Sequence, residues 1–439
     1  MDQSHRSGQF IVAARIRHFA AQAACGSPLR SVRVTHAGAS RENKLDLRLF
    51  TGQPLIKVGA RLDKLQRKSS TRGSTDRGVV DLVRELIERA IAARATDIHC
   101  EPTDDGLLIR VRVDSILHDV ERLPGTIAAN VVARLKVLGG LLTYCSDLPQ
   151  EGVIAASGSD FSHDIRVATF PTVRGERAVL RILSAAHSRI GLDGLGHSHD
   201  LIASLKRCLQ RQQGLLLVCG PAGSGKTTTL FALLEYLLAQ RPGASIFAVE
   251  DPVEIRLSGV TQVQIDAARG LTYPVALRSL LRQDPQILMI GEVRDAETAR
   301  VVIEAALTGH LLLSTLHSGS ASEAIVRLAE MGLPSYQITS ALCGVLAQRL
   351  VRTICGVCHN GPAKDDCQAC LGTGMAGRTA FGHWVEIGAA LRRAIIAGSD
   401  AATLRKAELM PGSLRSDAAR LIESGATTRD EVCRVLGDS

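Results

Sequence analysis

Short apolar runs separated by glycine-rich turns and helical patterns dominate residues 200 to about 340. Four such runs span residues 215–219, 245–249, 287–290 and 311–314. Each has the length and composition of a strand that is buried on both faces. The stretches between them place apolar residues at helical spacing. This alternation predicts an α/β fold in which a parallel sheet is covered by helices.

A different pattern precedes it. Residues 79–91 carry apolar side chains on one helical face, and residues 108–113 alternate apolar residues with arginines. Further strands are predicted over 164–170 and 177–183. A helix followed by short alternating strands predicts a small α+β domain over residues 76–185.

The remaining regions complete a five-part organisation. Residues 1–75 are strongly basic and end in a linker-like stretch, and their pattern assigns no fold. The predicted P-loop core spans 200–340. A C-terminal region follows over 341–390, with a cysteine-rich module at 355–370, and residues 391–439 form a predicted helical tail.

Composition narrows the function classes. The 439 residues are 45% hydrophobic, which is enough for globular cores, and no apolar run approaches the roughly 18 to 20 residues of a membrane helix. Eleven cysteines, an odd number, favour a reducing compartment, so a cytoplasmic protein is expected. The net charge of +8 permits an anionic partner, but aromatics at 3% argue against a stacking surface for single-stranded nucleic acid.

Residues 220–227 read GPAGSGKT, a complete phosphate-binding loop between a predicted strand and a predicted helix. The glycines let backbone N–H groups approach phosphate oxygens, and the helix N-terminus adds partial positive charge. The lysine would reach the β- and γ-phosphates of ATP, and the threonine hydroxyl would ligate Mg²⁺. The predicted nucleotide-binding residues are Gly220, Pro221, Ala222, Gly223, Ser224, Gly225, Lys226, Thr227 and Thr228.

ATP hydrolysis also needs a carboxylate that positions water. Glu254 follows the predicted strand 245–249, and Glu292 follows the strand 287–290, with Gly291 where a Walker B aspartate is usual. Two histidines, His310 and His317, bracket the strand 311–314. A carboxylate that follows a strand is otherwise most often a helix cap, which is the alternative for both glutamates.

Four cysteines form two C-x-x-C pairs: Cys355 with Cys358, and Cys367 with Cys370. Eight residues separate the pairs. This spacing suits tetrahedral coordination of Zn²⁺ by four thiolates, and the cytoplasmic expectation disfavours a disulfide or redox role.

Four segments together resemble the secretion ATPases of the GspE/PilB family, which power type II secretion and type IV pilus assembly. They are 220–232, 247–266, 278–299 and 306–332, and they match the Walker A, Asp, Walker B and His boxes of that family. The resemblance covers roughly residues 76–390 and implies a RecA-like core. It implies that Glu292 is the catalytic carboxylate, helped by Glu254 and His317. The cysteine pairs resemble the zinc module of assembly-type members.

In the family, arginines from the preceding domain close the active site. Segment 163–183 matches that region and places Arg166 and Arg181 at the arginine-finger positions. Without the resemblance, pairing with surface carboxylates is the favoured interpretation. The chain also departs from the family. Val153 stands where an arginine is usual, Ala222 where threonine is common, and residues 1–75 match no family domain.

The resemblance therefore implies a cytoplasmic homo-hexameric ATPase attached peripherally to the inner membrane. Its partners would be the platform and docking proteins of a secretion or pilus machine. Two alternatives stay open: a P-loop motor that moves nucleic acid, and a scaffold that binds nucleotide without turnover. The low aromatic content and the lack of a recognised DNA module make nucleic acid the less favoured partner.

Overall fold

The computed structural model describes residues 78–183, 190–358, 367, 369–370, 372–407 and 413–437. All of them belong to the unit Ile56–Ser439. The basic region 1–75 lies outside the described residues, as does the stretch between the two cysteine pairs at 359–366.

The amino-terminal half of the described chain is an antiparallel sheet of six strands in the order β3-β2-β1-β6-β5-β4. Two helices pack together, and an apolar core fills the space between helices and sheet. Arg110 and Arg112 alternate with buried Ile109 and Val111 on β2, because one sheet face is covered and the other is not. The predicted helix and strands are confirmed. The elements are α1 Val79–Ala92, β1 Asp97–Thr103, β2 Gly106–Val113, β3 Ile116–Pro124, α2 Gly125–Leu138, β4 Gln150–Ile154, β5 Asp164–Thr172 and β6 Gly175–Leu183.

The second sheet has seven strands in the order β13-β12-β7-β11-β10-β8-β9, and all neighbours are parallel except β12 and β13. Every residue of β7, β10 and β11 is buried, which explains their unbroken apolar runs. The predicted α/β core is confirmed. Its elements are α3 His199–Leu209, β7 Gly214–Cys219, α4 Lys226–Gln240, β8 Ile246–Glu250, β9 Thr261–Gln264, α5 Tyr273–Leu280, β10 Ile287–Ile290, α6 Ala296–Leu307, β11 Leu311–Leu316, α7 Ala321–Glu330 and α8 Ser335–Ala341.

Two long strands from the region 341–390 extend this sheet. Strand β12, Leu342–Ile354, pairs in parallel with β7, and β13, Met375–Glu386, pairs antiparallel with β12. The pairing of Ala347 with Cys219 brings β12 to the end of the strand that precedes the phosphate loop. The strands of this C-terminal region are thus part of the core sheet, because burial of β12 against β7 completes the apolar interior.

Four short helices follow: α9 Ala389–Ile396, α10 Ala401–Lys406, α11 Leu414–Glu423 and α12 Arg429–Leu436. They confirm the predicted helical tail. The last two pack against β12 and β13 around buried Val351 and Phe381. Within the described part of the chain, each helix is too short or too polar to cross a membrane.

Candidate nucleotide site and cysteine cluster

The phosphate loop joins the carboxyl end of β7 to the first turn of α4. Gly223 and Gly225 adopt left-handed backbone conformations, with φ values of 74° and 83°, and Gly225 is the residue that precedes α4. Glycine is favoured in both places because a side chain strains this conformation. The nine predicted binding residues therefore lie together, in the loop and in the first turn of α4.

Lys226 points back into its own loop. Its ammonium donates hydrogen bonds to the carbonyl oxygens of Gly220 and Pro221, each over 2.9 Å. Burial lowers the pKa of Lys226, and the negative charge of Glu292 partly opposes that shift. The lysine and Glu292 therefore lie close enough for their charges to interact across the loop.

Glu292 and His317 form the centre of the site. Glu292 follows β10 and His317 follows β11, and the glutamate Oε2 lies 3.2 Å from the histidine Nε2. The other carboxylate oxygen pairs with Arg294, whose guanidinium also lies 3.5 Å from Asp251. A carboxylate held by an imidazole is suited to orient water and accept a proton.

Strand register explains why His317 joins the site and His310 does not. Strand β11 lies between β7 and β10, so its carboxyl end meets the phosphate loop and Glu292. His310 precedes β11 at the opposite end, where its Nδ1 lies 3.0 Å from the carbonyl oxygen of Ala305. In parallel sheets, ligands bind beyond the carboxyl ends of the strands.

Two further carboxylates lie at the end of β8. Glu254 is exposed, whereas Glu250 is buried. Burial raises the pKa of Glu250 to about 7; a hydrogen bond from the Gln262 amide at 2.8 Å opposes that rise, and the charge of Glu254 adds to it. Glu254 is thus near Glu250 but open to solvent, where a substrate or water has access.

Several residues of the site carry no strong signal in the sequence. A Cβ on Gly291 would lie 3.0 Å from the Tyr273 hydroxyl, so the tyrosine lies close against the position where a Walker B aspartate is usual. Arg294 lies two residues after Glu292, and its position after the strand is the signal that could have found it. Tyr273 and Gln348 come from distant segments, and only the fold reveals them.

Arg166 and Arg181 are direct cross-strand neighbours on the uncovered face of the six-stranded sheet. Arg166 pairs with Glu151 at 2.5 Å, and Arg181 pairs with buried Asp97 at 3.0 Å. Among the described residues, the salt-bridge partners of both arginines belong to their own sheet. The side chains of Arg166 and Arg181 remain 45% and 66% exposed, and Val153 lies directly opposite Arg166 on β4.

The four cysteines converge. Their Sγ atoms all lie within 4.8 Å of one another, with 3.9 Å between Cys355 and Cys367 and 3.4 Å between Cys358 and Cys370. The edge of a tetrahedron with Zn–S bonds of about 2.3 Å measures about 3.8 Å. The donor set and its spacing therefore fit a tetrahedral metal ion.

Comparison with known proteins agrees with this site. The family model described as "Type II/IV secretion system protein" matches residues 73–434. The type II secretion system protein HxcR of Pseudomonas aeruginosa is 39% identical over 94% of this chain and 93% of its own length. The type IV pilus assembly ATPase PilB of Thermus thermophilus is 36% identical over 80% of this chain and 42% of that longer protein.

A solved structure shares the fold. The ATPase DotB of Legionella pneumophila aligns with a TM-score of 0.61 at 20% identity, over 82% of this chain and 96% of that one. The sequence matches show the family, and the structural match shows the fold. The chain belongs to the family of type II/IV secretion system proteins, among its secretion and pilus ATPases.

Proposed function

We propose that the chain is the motor subunit of a homo-hexameric ring that hydrolyses ATP to drive type II secretion or type IV pilus assembly. The observation that carries the proposal is the contact between Glu292 and His317 beside the phosphate-loop lysine, Lys226. A nucleotide-binding loop without a positioned carboxylate would only bind ATP. The neighbouring carboxylate and imidazole add the groups that hydrolysis requires.

The residue roles follow from position. Backbone N–H groups of residues 220–225 and the start of α4 bind the phosphates, and Lys226 exchanges its two carbonyl partners for phosphate oxygens. Thr227, exposed at the helix start, is placed to hold Mg²⁺, which neutralises phosphate charge. Glu292 orients the attacking water and takes its proton, and the contact with His317 at 3.2 Å fixes the carboxylate. Glu254 supports the same region from solvent.

Arg166 and Arg181 supply positive charge to the γ-phosphate when the six-stranded sheet closes over the loop. Their exposure and their shared sheet face favour this role. The exposed pair of Arg166 with Glu151 is exchangeable at low cost, and buried Asp97 keeps Arg112 as a partner, at 3.4 Å, when Arg181 leaves it. The guanidinium groups would neutralise charge that develops in the transition state.

Cys355, Cys358, Cys367 and Cys370 hold a structural Zn²⁺ ion. Three of these cysteines are buried and Cys358 is half-buried, so all four coordination positions are taken by protein. Such a site would link the end of β12 to the start of β13, because the first pair follows one strand and the second pair precedes the other.

The names of the relatives support a place in a type II secretion or type IV pilus assembly machine. We place the ring in the cytoplasm, attached peripherally to the inner membrane through platform and docking proteins. Residues 1–75 are the candidate docking segment because they are basic and nearly all of them precede the match to the family model, which begins at residue 73.

ATP turnover by the assembled full-length chain tests the proposal. Glu292→Gln should lower kcat by about 10³-fold while leaving ATP binding in place, since the change removes the base but keeps the shape. Glu297→Gln is the matched control, because this exposed carboxylate lies on α6 and pairs with Arg278. Equal turnover in both variants contradicts the role of Glu292.

The same assay separates the alternatives. A wild-type ring that binds ATP with zero turnover supports the scaffold interpretation. Strong stimulation of turnover by double-stranded DNA supports the nucleic-acid motor and overturns the secretion role.

Metal analysis tests the zinc site independently. The wild-type chain should contain one equivalent of zinc, and a Cys355→Ser/Cys370→Ser double variant should contain none. Cys433→Ser, which alters a half-buried cysteine of α12, is the control and should keep the metal. A wild-type chain without zinc after purification from zinc-supplemented cells contradicts the assignment.

A further inference from the structure

Gln348 of β12 contacts the phosphate loop from behind. Its side-chain amide donates a hydrogen bond to the Ser224 carbonyl oxygen at 2.7 Å, and its Oε1 accepts one from the Thr229 hydroxyl at 2.7 Å. A Cβ on Gly220 would lie 2.5 Å from the Gln348 carbonyl oxygen, and one on Gly225 would lie 3.0 Å from the Gln348 amide nitrogen. The glutamine therefore fits directly against both ends of the loop.

His197 provides the remaining partner of this amide. Its Nε2 lies 3.1 Å from Gln348 Oε1, which is an acceptor, so the histidine must carry its proton on Nε2. Burial lowers the pKa of His197 to about 4, which keeps the ring neutral near pH 7. Gln348 Oε1 thus accepts two hydrogen bonds while its NH₂ group holds the loop.

His197 belongs to the segment that leads from the six-stranded sheet into α3. That segment is fixed at the two residues that precede the histidine: the Leu195 carbonyl accepts from Ala380 N at 2.9 Å, and the Gly196 carbonyl accepts from Arg420 at 2.7 Å. Gly196 has a φ of 100°, and a Cβ there would lie 1.9 Å from the Thr379 hydroxyl. The connecting segment therefore holds His197 in a defined place behind the loop.

We propose that Gln348 is a positioning residue for the phosphate loop, and that His197 ties it to the segment joining the two sheets. The amide orients Ser224 and the first turn of α4, so that the loop keeps the open form that phosphate needs. Displacement of residues 195–197 would release one hydrogen bond of the amide and loosen the loop. Nucleotide affinity and the position of the connecting segment are coupled by this contact.

All four residues involved are nine-tenths or more buried, at 1% exposure for Gln348, 0% for Thr229, 3% for Ser224 and 7% for His197. Buried hydrogen bonds of this kind are costly to leave unmade, so removal of one partner disturbs the others. Gln348 is therefore proposed to act on nucleotide binding through the backbone of the phosphate loop, and not by contact with phosphate.

Gln348→Met in the full-length chain tests the proposal, which rests on the proposed ATP site. Methionine keeps the volume and removes the amide. We expect the Kd for methylanthraniloyl-ATP and the KM for ATP to rise about tenfold, with kcat at saturating ATP reduced less than threefold, because the loss of a buried hydrogen bond is of this size. His197→Phe should raise the same Kd about threefold.

Thr427→Val is the matched structural control. The buried hydroxyl of Thr427 donates a hydrogen bond, over 2.7 Å, to the carbonyl oxygen of Arg352, which lies on β12 like Gln348. This contact lies away from the phosphate loop. This variant should lower the unfolding temperature without changing Kd or KM. Should Gln348→Met fail to fold, Thr229→Val and Thr229→Ser decide, since only the serine keeps the donor to Gln348.

Two results overturn the proposal. One is a folded Gln348→Met chain with wild-type Kd and KM, and the other is equal Kd for the valine and serine variants of Thr229. A wild-type chain that binds no nucleotide analogue contradicts the proposed function itself, and the two failures are thereby distinguished.

Discussion

The two sheets of this protein place their polar groups by opposite means. In the six-stranded antiparallel sheet, one face is covered by α1 and α2, and the other presents arginines from β2, β5 and β6. In the seven-stranded sheet, β7, β10 and β11 are buried on both faces, and functional polar groups gather just beyond their carboxyl ends. One sheet offers a charged surface and the other offers a charged edge.

The difference supports the proposed division of chemistry between the two sheets. The edge of the second sheet holds Glu292, His317 and Lys226 in fixed register, as the positioning of water requires. The face of the first sheet holds Arg166 in an exposed ion pair, which is weak and open to exchange. It holds the exposed Arg181 against buried Asp97, which Arg112 also contacts. The seven-stranded sheet thus offers a rigid edge, and the six-stranded sheet offers arginines that can change partners. This arrangement suits a site in which the six-stranded sheet supplies its arginines to the phosphate loop.

The largest expected effect is a loss of ATP turnover, and it concerns the two arginines on the exposed face of the six-stranded sheet. Arg181→Ala or Arg166→Ala should lower kcat by about 10³-fold, because each removes a cation proposed to neutralise the transferring phosphate. Steady-state ATP turnover of the assembled ring measures this. Arg174→Ala is the control, since Arg174 is an exposed arginine between β5 and β6 that pairs with Asp104. Equal losses in all three variants would show that general charge, and not a finger position, matters.

The next effect concerns the covered side of the same sheet. Lys136, only 1% exposed, pairs with Glu176 at 2.6 Å and donates to the Cys145 carbonyl at 2.8 Å. Lys136→Met should reduce the free energy of unfolding by about 3 kcal/mol, because Glu176 is left as an uncompensated buried charge. Urea unfolding followed by circular dichroism measures this loss.

An exposed pair on α1 provides the control for that experiment. Arg84 pairs with Asp81, and both side chains are more than half exposed, so Arg84→Met should change stability by about 0.5 kcal/mol or less. A Lys136→Met/Glu176→Gln double variant should recover part of the loss. If Lys136→Met and Arg84→Met lose the same free energy of unfolding, the buried pair does not stabilise the sheet as expected.

The smallest expected effect is a change in the pH dependence of stability, and it concerns Glu250 at the edge of the second sheet. Glu250 has a folded pKa of about 7, above its ordinary value of 4.5, so the folded state binds the proton more tightly. The stability that this adds is fully present below pH 4.5 and is lost as the pH rises through 7. Glu250→Gln should remove about 1–2 kcal/mol of the stability decline between pH 5 and 8.

Chemical unfolding of nucleotide-free protein at several pH values checks this slope. Asp200→Asn is a control, because this carboxylate is fully exposed on α3. Parallel slopes for wild type and Glu250→Gln would show that Glu250 titrates like a solvated carboxylate.

The sequence was most informative where chemistry depends on neighbours along the chain. The phosphate loop, the strands that precede Glu292 and His317, and the four cysteines are local patterns, and the structure brings each of them to the expected place. Strands β12 and β13 were not predicted, because the pattern of 342–386 does not show which sheet it joins. Their pairing with β7 is a long-range contact.

By itself, the sequence determined the loop, the buried strands and the four thiolates, because each depends on residue type at short spacing. Tertiary structure alone decided that His317 and not His310 meets Glu292, that Tyr273 lies close against Gly291, and that Gln348 holds the loop from behind. These choices follow from strand order and register, which bring together residues far apart in the chain. The hydrophobic periodicity of the sequence does not predict such contacts, because their energy comes from packing between segments that are far apart in the chain.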